Sequence, residues 1–241
     1  MAQNYFSISL PSKCLLYKGI DPNSIQVRAF VGEDSFILAE MTEKNSVEKI
    51  IEVLGRCLKG IDVQELTLGD KLYLMVWHAI NSYSDGHSAK IICEHCLQEV
   101  VVDYKLADLE TLYLPDGYQD PYPIVLSTGE KANCRLLRVK DELELYRLEK
   151  TVQNPKRYQL AYTLVDPNRN IVERVKWLEE MPAKDLAKIQ AFQDSFYHGP
   201  NFTTNYKCPK CDGEGLFIAP FRLEHFHPDG PALTKNFGTK I

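Results

Sequence analysis

Four cysteines in two identically spaced pairs are the residues best suited to chemistry: Cys93 and Cys96 in KIICEHCLQEV, and Cys208 and Cys211 in YKCPKCDGEG. Two thiolates three residues apart reach one cation from a single tight turn, and two such turns complete a tetrahedron. Seven cysteines in 241 residues would give about 0.2 CxxC pairs by chance, so the second pair is informative. Each pair lies between strand-like runs: SAKII and EVVVDY flank the first, NFTTNY and GLFIAPF the second. The pattern is that of a zinc ribbon, in which two hairpin turns hold one structural Zn2+ through four sulfurs. Gly213 and Gly215 are expected to supply left-handed backbone to the second turn, whereas the first offers Leu97 and Gln98. His95 reads as an exposed turn residue, and His225 and His227 as part of a surface tail.

Other chemistries fit less well. A redox CxxC of a thiol–disulfide oxidoreductase sits at a helix N-terminus, where the dipole lowers the thiol pKa, but strand-like residues follow both pairs here. A zinc deaminase needs H-x-E and P-C-x-x-C, while Cys208 follows Lys207 and no H-x-E occurs. A catalytic zinc keeps one position open, which four thiolates would close. No phosphate loop, nucleophile elbow or H-E-x-x-H is present, so the expectation is a protein without catalysis. Cys14, Cys57 and Cys134 read as small apolar fillers, and His78 as a satisfied, partly buried histidine.

The composition bounds the partners. A net charge of −5 and a pI of about 5.7 leave no global basic field for nucleic acid or anionic lipid. Lys90, Lys207 and Lys210 lie near the pairs and keep a zinc-ribbon nucleic-acid module as a competing reading, without the aromatic-lined basic groove that single strands require. The N-terminus MAQNYFSISLPSK shows no secretory pattern, and LYLMVWHAI is too short to cross a bilayer. An odd cysteine count favours metal or free thiols over a disulfide framework.

The elements that must position the cysteines follow one plan twice. VRAFVGEDSFIL aligns without a gap on CRLLRVKDELEL, placing Arg28 on Arg135 and Asp34 on Asp141 at an offset of 107. Later the offset is 115: Asp70 falls on Asp185, Cys93 on Cys208 and Cys96 on Cys211. The two arginines are expected to pair with those acidic helix starts rather than with a partner. Val47, Ile50, Ile51, Leu54 and Leu58 recur at helical spacing after Ser46 as N-cap. Leu72, Val76, Ala79 and Tyr83 form a second stripe, capped by Thr67 with Asp70 at N3. Leu186, Ile189, Phe192 and Phe196 form a third, with Pro182 in its first turn and Gly199 as its stop, and LEEMPAKDLAK reads as a solvated helix face. The expected fold is α+β: two related strand–helix lobes, residues 1–113 and 124–241, joined through the turn-rich run 114–123 and by a shared four-cysteine zinc ribbon built from the distant CxxC hairpins.

Taken in order, PSKCLLYKG, VRAFVGED, LTLGDKLYLMVWHAINSYS, the two CxxC pairs and the Phe226–Pro228 F-H-P resemble the T4-type bacteriophage baseplate hub subunits and hub-assembly proteins over roughly residues 11–228. The resemblance implies a non-enzymatic protein of contractile-tail assembly, in the virion baseplate or in the host cytoplasm during assembly. Its partners would be other baseplate and tail hub proteins, with oligomerisation inside the baseplate. Candidate docking segments are 1–20, with Phe6, Leu10 and Tyr17 in an extended run, and 221–241.

Overall fold

The computed structural model describes residues 4–149, 151–152 and 154–226. Strand β1 (Phe6–Ser7) pairs antiparallel with β2 (Gln26–Val27), and helices α1 (Gly32–Ala39) and α2 (Ser46–Cys57) lead to β3 (Leu58–Lys59), which closes a three-stranded sheet on β2. Helix α3 (Leu68–Ser82) then feeds a seven-residue hairpin, β4 (Gly86–Ile92) and β5 (Glu99–Lys105). After β6 (Thr111–Leu112) come the hairpin β7 (Tyr122–Val125)–β8 (Lys131–Cys134) and four helices. These are α4 (Val139–Leu148), α5 (Pro155–Thr163), α6 (Ile171–Glu180) and α7 (Ala183–Ser195). Strand β9 (Gly199–Pro200) returns to pair with β6, and the hairpin β10 (Thr203–Lys207)–β11 (Glu214–Ile218) precedes a short helix α8 (Leu223–Phe226).

Helix α2 forms where the apolar spacing predicts it, burying Val47, Ile50, Ile51, Val53, Leu54 and Cys57. Each fully buried aliphatic side chain there contributes about 1.5–3 kcal/mol. Two details differ from expectation. The cap position is Asn45, whose Oδ1 accepts from the Thr42 N–H at 2.7 Å, and Ser46 is buried in the first turn. Leu58 belongs to β3, because pairing with Val27 ends the helix one residue earlier. Helix α3 matches its capping pattern, with Thr67 Oγ1 accepting from the Asp70 N–H at 3.2 Å.

The second half carries more helix than its periodicity revealed. Helices α5 and α6 are short and polar, but α6 has a capping box: Asn170 Oδ1 accepts from the Val172 and Glu173 N–H groups, and Glu173 accepts from the Asn170 N–H. LEEMPAKDLAK is not one helix face, because α6 ends at Glu180 and Pro182 caps α7. Gly199 does not stop α7, which ends at Ser195. It lies in β9 at φ +119, tight against α3, where a Cβ would meet the Gly69 carbonyl oxygen at 2.8 Å. Gly69 answers it, since a Cβ there would lie 2.1 Å from the His198 carbonyl oxygen.

One buried apolar cluster runs through both halves, from Leu10 and Ile25 through Leu74 and Met75 to Phe221 and Phe226. At its centre, Asp70 is fully buried yet satisfied: it accepts from the Ser12 N–H at 2.9 Å and from the Tyr17 hydroxyl. Thr67 donates to His198 Nε2 at 2.6 Å, a role fixed by the His198 Nδ1–H bond to the Phe196 carbonyl. Leu10 and Tyr17 are 2 % and 5 % exposed, so they are core residues and not docking surface; Phe6, at 53 %, is the exposed member of that run. Residues 114–123 also pack inward through Leu114 and Tyr118. Within 221–241, Phe221, Leu223 and Phe226 are buried, while 227–241, with His227 and Pro228, lie outside the described residues.

Candidate metal centre

Each CxxC closes a hairpin. Cys93 follows β4 and Cys96 precedes β5 across the first turn; Cys208 and Cys211 hold the same places between β10 and β11. The two turns are built alike. In the first, the Cys93 N–H donates to the Gln98 carbonyl at 3.0 Å and the Leu97 N–H to the Cys93 carbonyl at 2.9 Å. In the second, the Cys208 N–H donates to the Gly213 carbonyl at 2.8 Å and the Asp212 N–H to the Cys208 carbonyl at 3.0 Å. The left-handed residue is the one after the second cysteine in both, Leu97 and Asp212, each at φ 56.

That placement corrects the role expected of the glycines. Gly213 and Gly215 lack positive φ and are needed for space: a Cβ on Gly213 would stand 2.5 Å from the His95 ring, and one on Gly215 2.8 Å from the Tyr206 ring. His95 is exposed, as expected, and its Nε2–H donates to the Glu214 carbonyl at 2.8 Å, tying one turn to the other. Beneath the turns the hairpins meet through Tyr104, Tyr206 and Phe217, with the Phe217 ring edge-on to both tyrosines at 5.8 and 6.1 Å.

This packing brings the four sulfurs within 4.8 Å of one another. Cys93 Sγ lies 3.8 Å from Cys211 Sγ, and Cys96 Sγ lies 3.9 Å from Cys208 Sγ. Four sulfurs at about 2.3 Å from a common Zn2+ in tetrahedral array stand about 3.8 Å apart, so the set fits one ion. A disulfide would need about 2.05 Å. Burial runs from Cys93 and Cys208, fully enclosed, through Cys96 to the exposed Cys211.

The electrostatics also favour a cation. N–H groups of Cys96 and His95, with the Tyr206 hydroxyl, pull the Cys93 pKa down to about 6 against desolvation. At Cys211 the Gly213 N–H favours the thiolate, but burial and the sulfurs of Cys208, Cys93 and Cys96 push the pKa up to about 12. Crowded sulfurs resist collecting several negative charges, and a bound dication removes that cost. The other three cysteines behave as fillers: burial raises Cys14 to about 11 and Cys57 and Cys134 to about 12.

The paired arginines are structural. Arg28 grips Asp34 through Nη1–Oδ2 at 2.5 Å and Nη2–Oδ1 at 3.2 Å, and Asp34 Oδ2 also accepts from the Val31 N–H at the start of α1. Arg135 grips Asp141 at 2.6 and 2.8 Å, and Asp141 accepts from the Arg138 N–H at the start of α4. Asp185 is buried and accepts from the Ser127 N–H at 2.9 Å, as Asp70 does from that of Ser12. Lys90 pairs with Glu99, Lys207 with Asp212, and Lys210 donates to the Glu99 carbonyl.

Two histidines differ from expectation. His225 is buried and not part of a surface tail, stacked on His87 at 4.1 Å. His78 is fully buried, and neither ring nitrogen has a hydrogen-bond partner among the described residues. It is held by stacking on Phe30 at 4.1 Å, and burial drives its pKa down to about 3. No signal in the sequence set His225 apart from a surface histidine, and the partner expected for the buried His78 is absent among the described residues.

With this geometry established, the family model described as T4 bacteriophage base plate protein matches residues 13–226. The chain belongs to that family. The match takes in both CxxC turns, both arginine–aspartate pairs and the buried helix α3. A T4-type baseplate protein of this kind belongs in the phage tail and contacts other tail proteins. No curated protein and no solved structure matches the chain. Among the described residues no helix is long and apolar enough to cross a membrane.

Proposed function

We propose that this baseplate-family chain is a non-enzymatic structural or assembly protein of the hub region, working through protein–protein contacts and locked by one structural Zn2+. Cys93, Cys96, Cys208 and Cys211 would be its ligands. The observation that carries this reading is the approach of four sulfurs from turns 111 residues apart to within 4.8 Å, at spacings a tetrahedral ion requires. The ion would supply no chemistry beyond charge neutralisation and cross-linking, since four thiolates leave no position for substrate.

The two halves, 1–113 and 124–241 about the 114–123 junction, are read as copies of one ancestral unit. In support, the same hydrogen bonds recur at both arginine–aspartate pairs, at both buried aspartates and at both cysteine turns. One ion would then clamp the ends of the two copies. The nucleic-acid reading is less well supported, because Lys90 and Lys207 are engaged by carboxylates and Lys210 by a carbonyl.

Two measurements test the proposal. Metal analysis of reduced, freshly purified protein should return one zinc per chain, and none in Cys208→Ser. Quantitative mass spectrometry of virions separates a resident hub subunit, present in stoichiometric amount, from an assembly factor of the same region, present only in infected-cell extracts. Absence from both virions and tail-assembly intermediates would refute the hub assignment.

A further inference from the structure

Helix α8, the last among the described residues, is held by histidines. Phe226 is fully buried, edge-on to Phe30 at 5.2 Å, and Phe30 lies flat on His78 at 4.1 Å. One residue earlier, His225 stacks on His87 with ring centroids 4.1 Å apart and planes 26° apart, beside Phe221 at 5.9 Å. The His225 ring is held as a neutral tautomer by its acceptor nitrogen. His87 Nε2–H donates to the Ser84 carbonyl at 3.1 Å, and His225 Nδ1 accepts from the Arg222 N–H at 3.3 Å.

We propose that His87, His225 and His78 make α8 an acid-released latch, which pulls Phe226 out of its socket when the rings gain protons. A proton on His225 must go to Nδ1, which destroys the acceptor of the Arg222 N–H and points two donors at each other. A proton on His87 Nδ1 then sets two cations face to face at stacking distance. His78, sealed under Phe30 and Trp77, accepts a proton only after Phe226 leaves.

Charges from every packed element bear on the balance. Glu224, 57 % exposed and 3.9 Å from His225 Nε2, and Asp85 beside His87 favour protonation, whereas Arg222 opposes it. Tyr104 of β5 packs on His87 at 5.8 Å with its hydroxyl tied to the Pro220 carbonyl, so it adds no charge. At His78 the influences of Arg28 and Asp34 oppose one another.

The direction follows from linkage. Burial is the first cause lowering all three histidines, to about 4 at His225 and about 3 at His78. A depressed histidine pKa stabilises the docked state fully above its ordinary value near 6.5, and that stabilisation is lost as pH falls toward the docked value. From pH 7.5 to 5.0, His225 alone raises the opening equilibrium about 30-fold.

Hydrogen–deuterium exchange of the full, metal-bearing chain at both pH values, corrected for intrinsic exchange chemistry, tests this. Peptides covering 219–226 report through the Ala219 N–H bond to Phe202 and the His225 N–H bond to Arg222. Their protection should fall about 30-fold or more relative to Leu72–Val76 of α3, with metal still bound. His225→Phe keeps a ring without the charge and should hold the change within about 3-fold; if it does not fold, His87→Phe, which removes the facing cation, should reduce the change. Unchanged protection in the natural chain, an undiminished pH response in a folded variant, or loss that spreads to α3 or follows metal release would overturn the latch.

Discussion

Stripping the metal is the perturbation with the largest calculable effect. The proposed ion would join Cys96 to Cys208 across 111 intervening residues. A cross-link of that span removes about 5 kcal/mol of chain entropy from the unfolded state, against a typical total stability of about 5–15 kcal/mol. With a urea m-value of about 3 kcal/mol per M, the unfolding midpoint should fall by about 1.7 M when a chelator removes the ion under reducing conditions. The assay is urea denaturation followed by circular dichroism, on metal-loaded and stripped protein side by side. Cys208→Ser should unfold near the stripped midpoint and gain nothing from added zinc. The fall should be a midpoint shift without collapse at zero denaturant, because Tyr104, Tyr206 and Phe217 still pack the hairpins together. If stripped and loaded proteins unfold at the same urea concentration, the ion does not clamp the chain and the structural-zinc reasoning is wrong.

Arg28→Met leaves Asp34 buried without its bidentate partner and should cost about 3–5 kcal/mol in equilibrium unfolding; Arg135→Met, at a pair whose arginine is 20 % rather than 4 % exposed, should cost measurably less. Gly69→Ala drives a Cβ into the His198 carbonyl at 2.1 Å and should lower the thermal midpoint by several degrees, because backbone on both sides must move. His78→Phe replaces two unpartnered buried nitrogens with apolar ring atoms while keeping the stack on Phe30, and should stabilise the fold by about 1–2 kcal/mol in the same assay.

The cysteine pairs were legible because their chemistry is local: three-residue spacing, flanking strands and a repeated offset are properties of the string of residues. The same holds for Thr67 at the cap of α3 and for the arginine–aspartate pairs, each made across six residues. The capping box of Asn170 and Glu173 is equally local, and with Ile171, Val175 and Leu178 at helical spacing it marks α6 in the sequence. The glycines after Cys211 look like backbone devices in the sequence, whereas they leave room for rings that arrive from elsewhere, His95 from the opposite hairpin and Tyr206 from the facing strand.

Residue order alone thus determined which sulfurs could share a metal and where a helix such as α3 begins, since spacing and caps act over one turn of chain. Only the tertiary structure decided that Asp70 would be buried yet satisfied by Ser12 and Tyr17, that His225 and His78 would lie inside, and that four sulfurs would meet. Those outcomes depend on burial and on contacts between residues 50 to more than 100 positions apart. Desolvation acts on whatever the folded surface excludes from water, and no local pattern encodes where that surface will run.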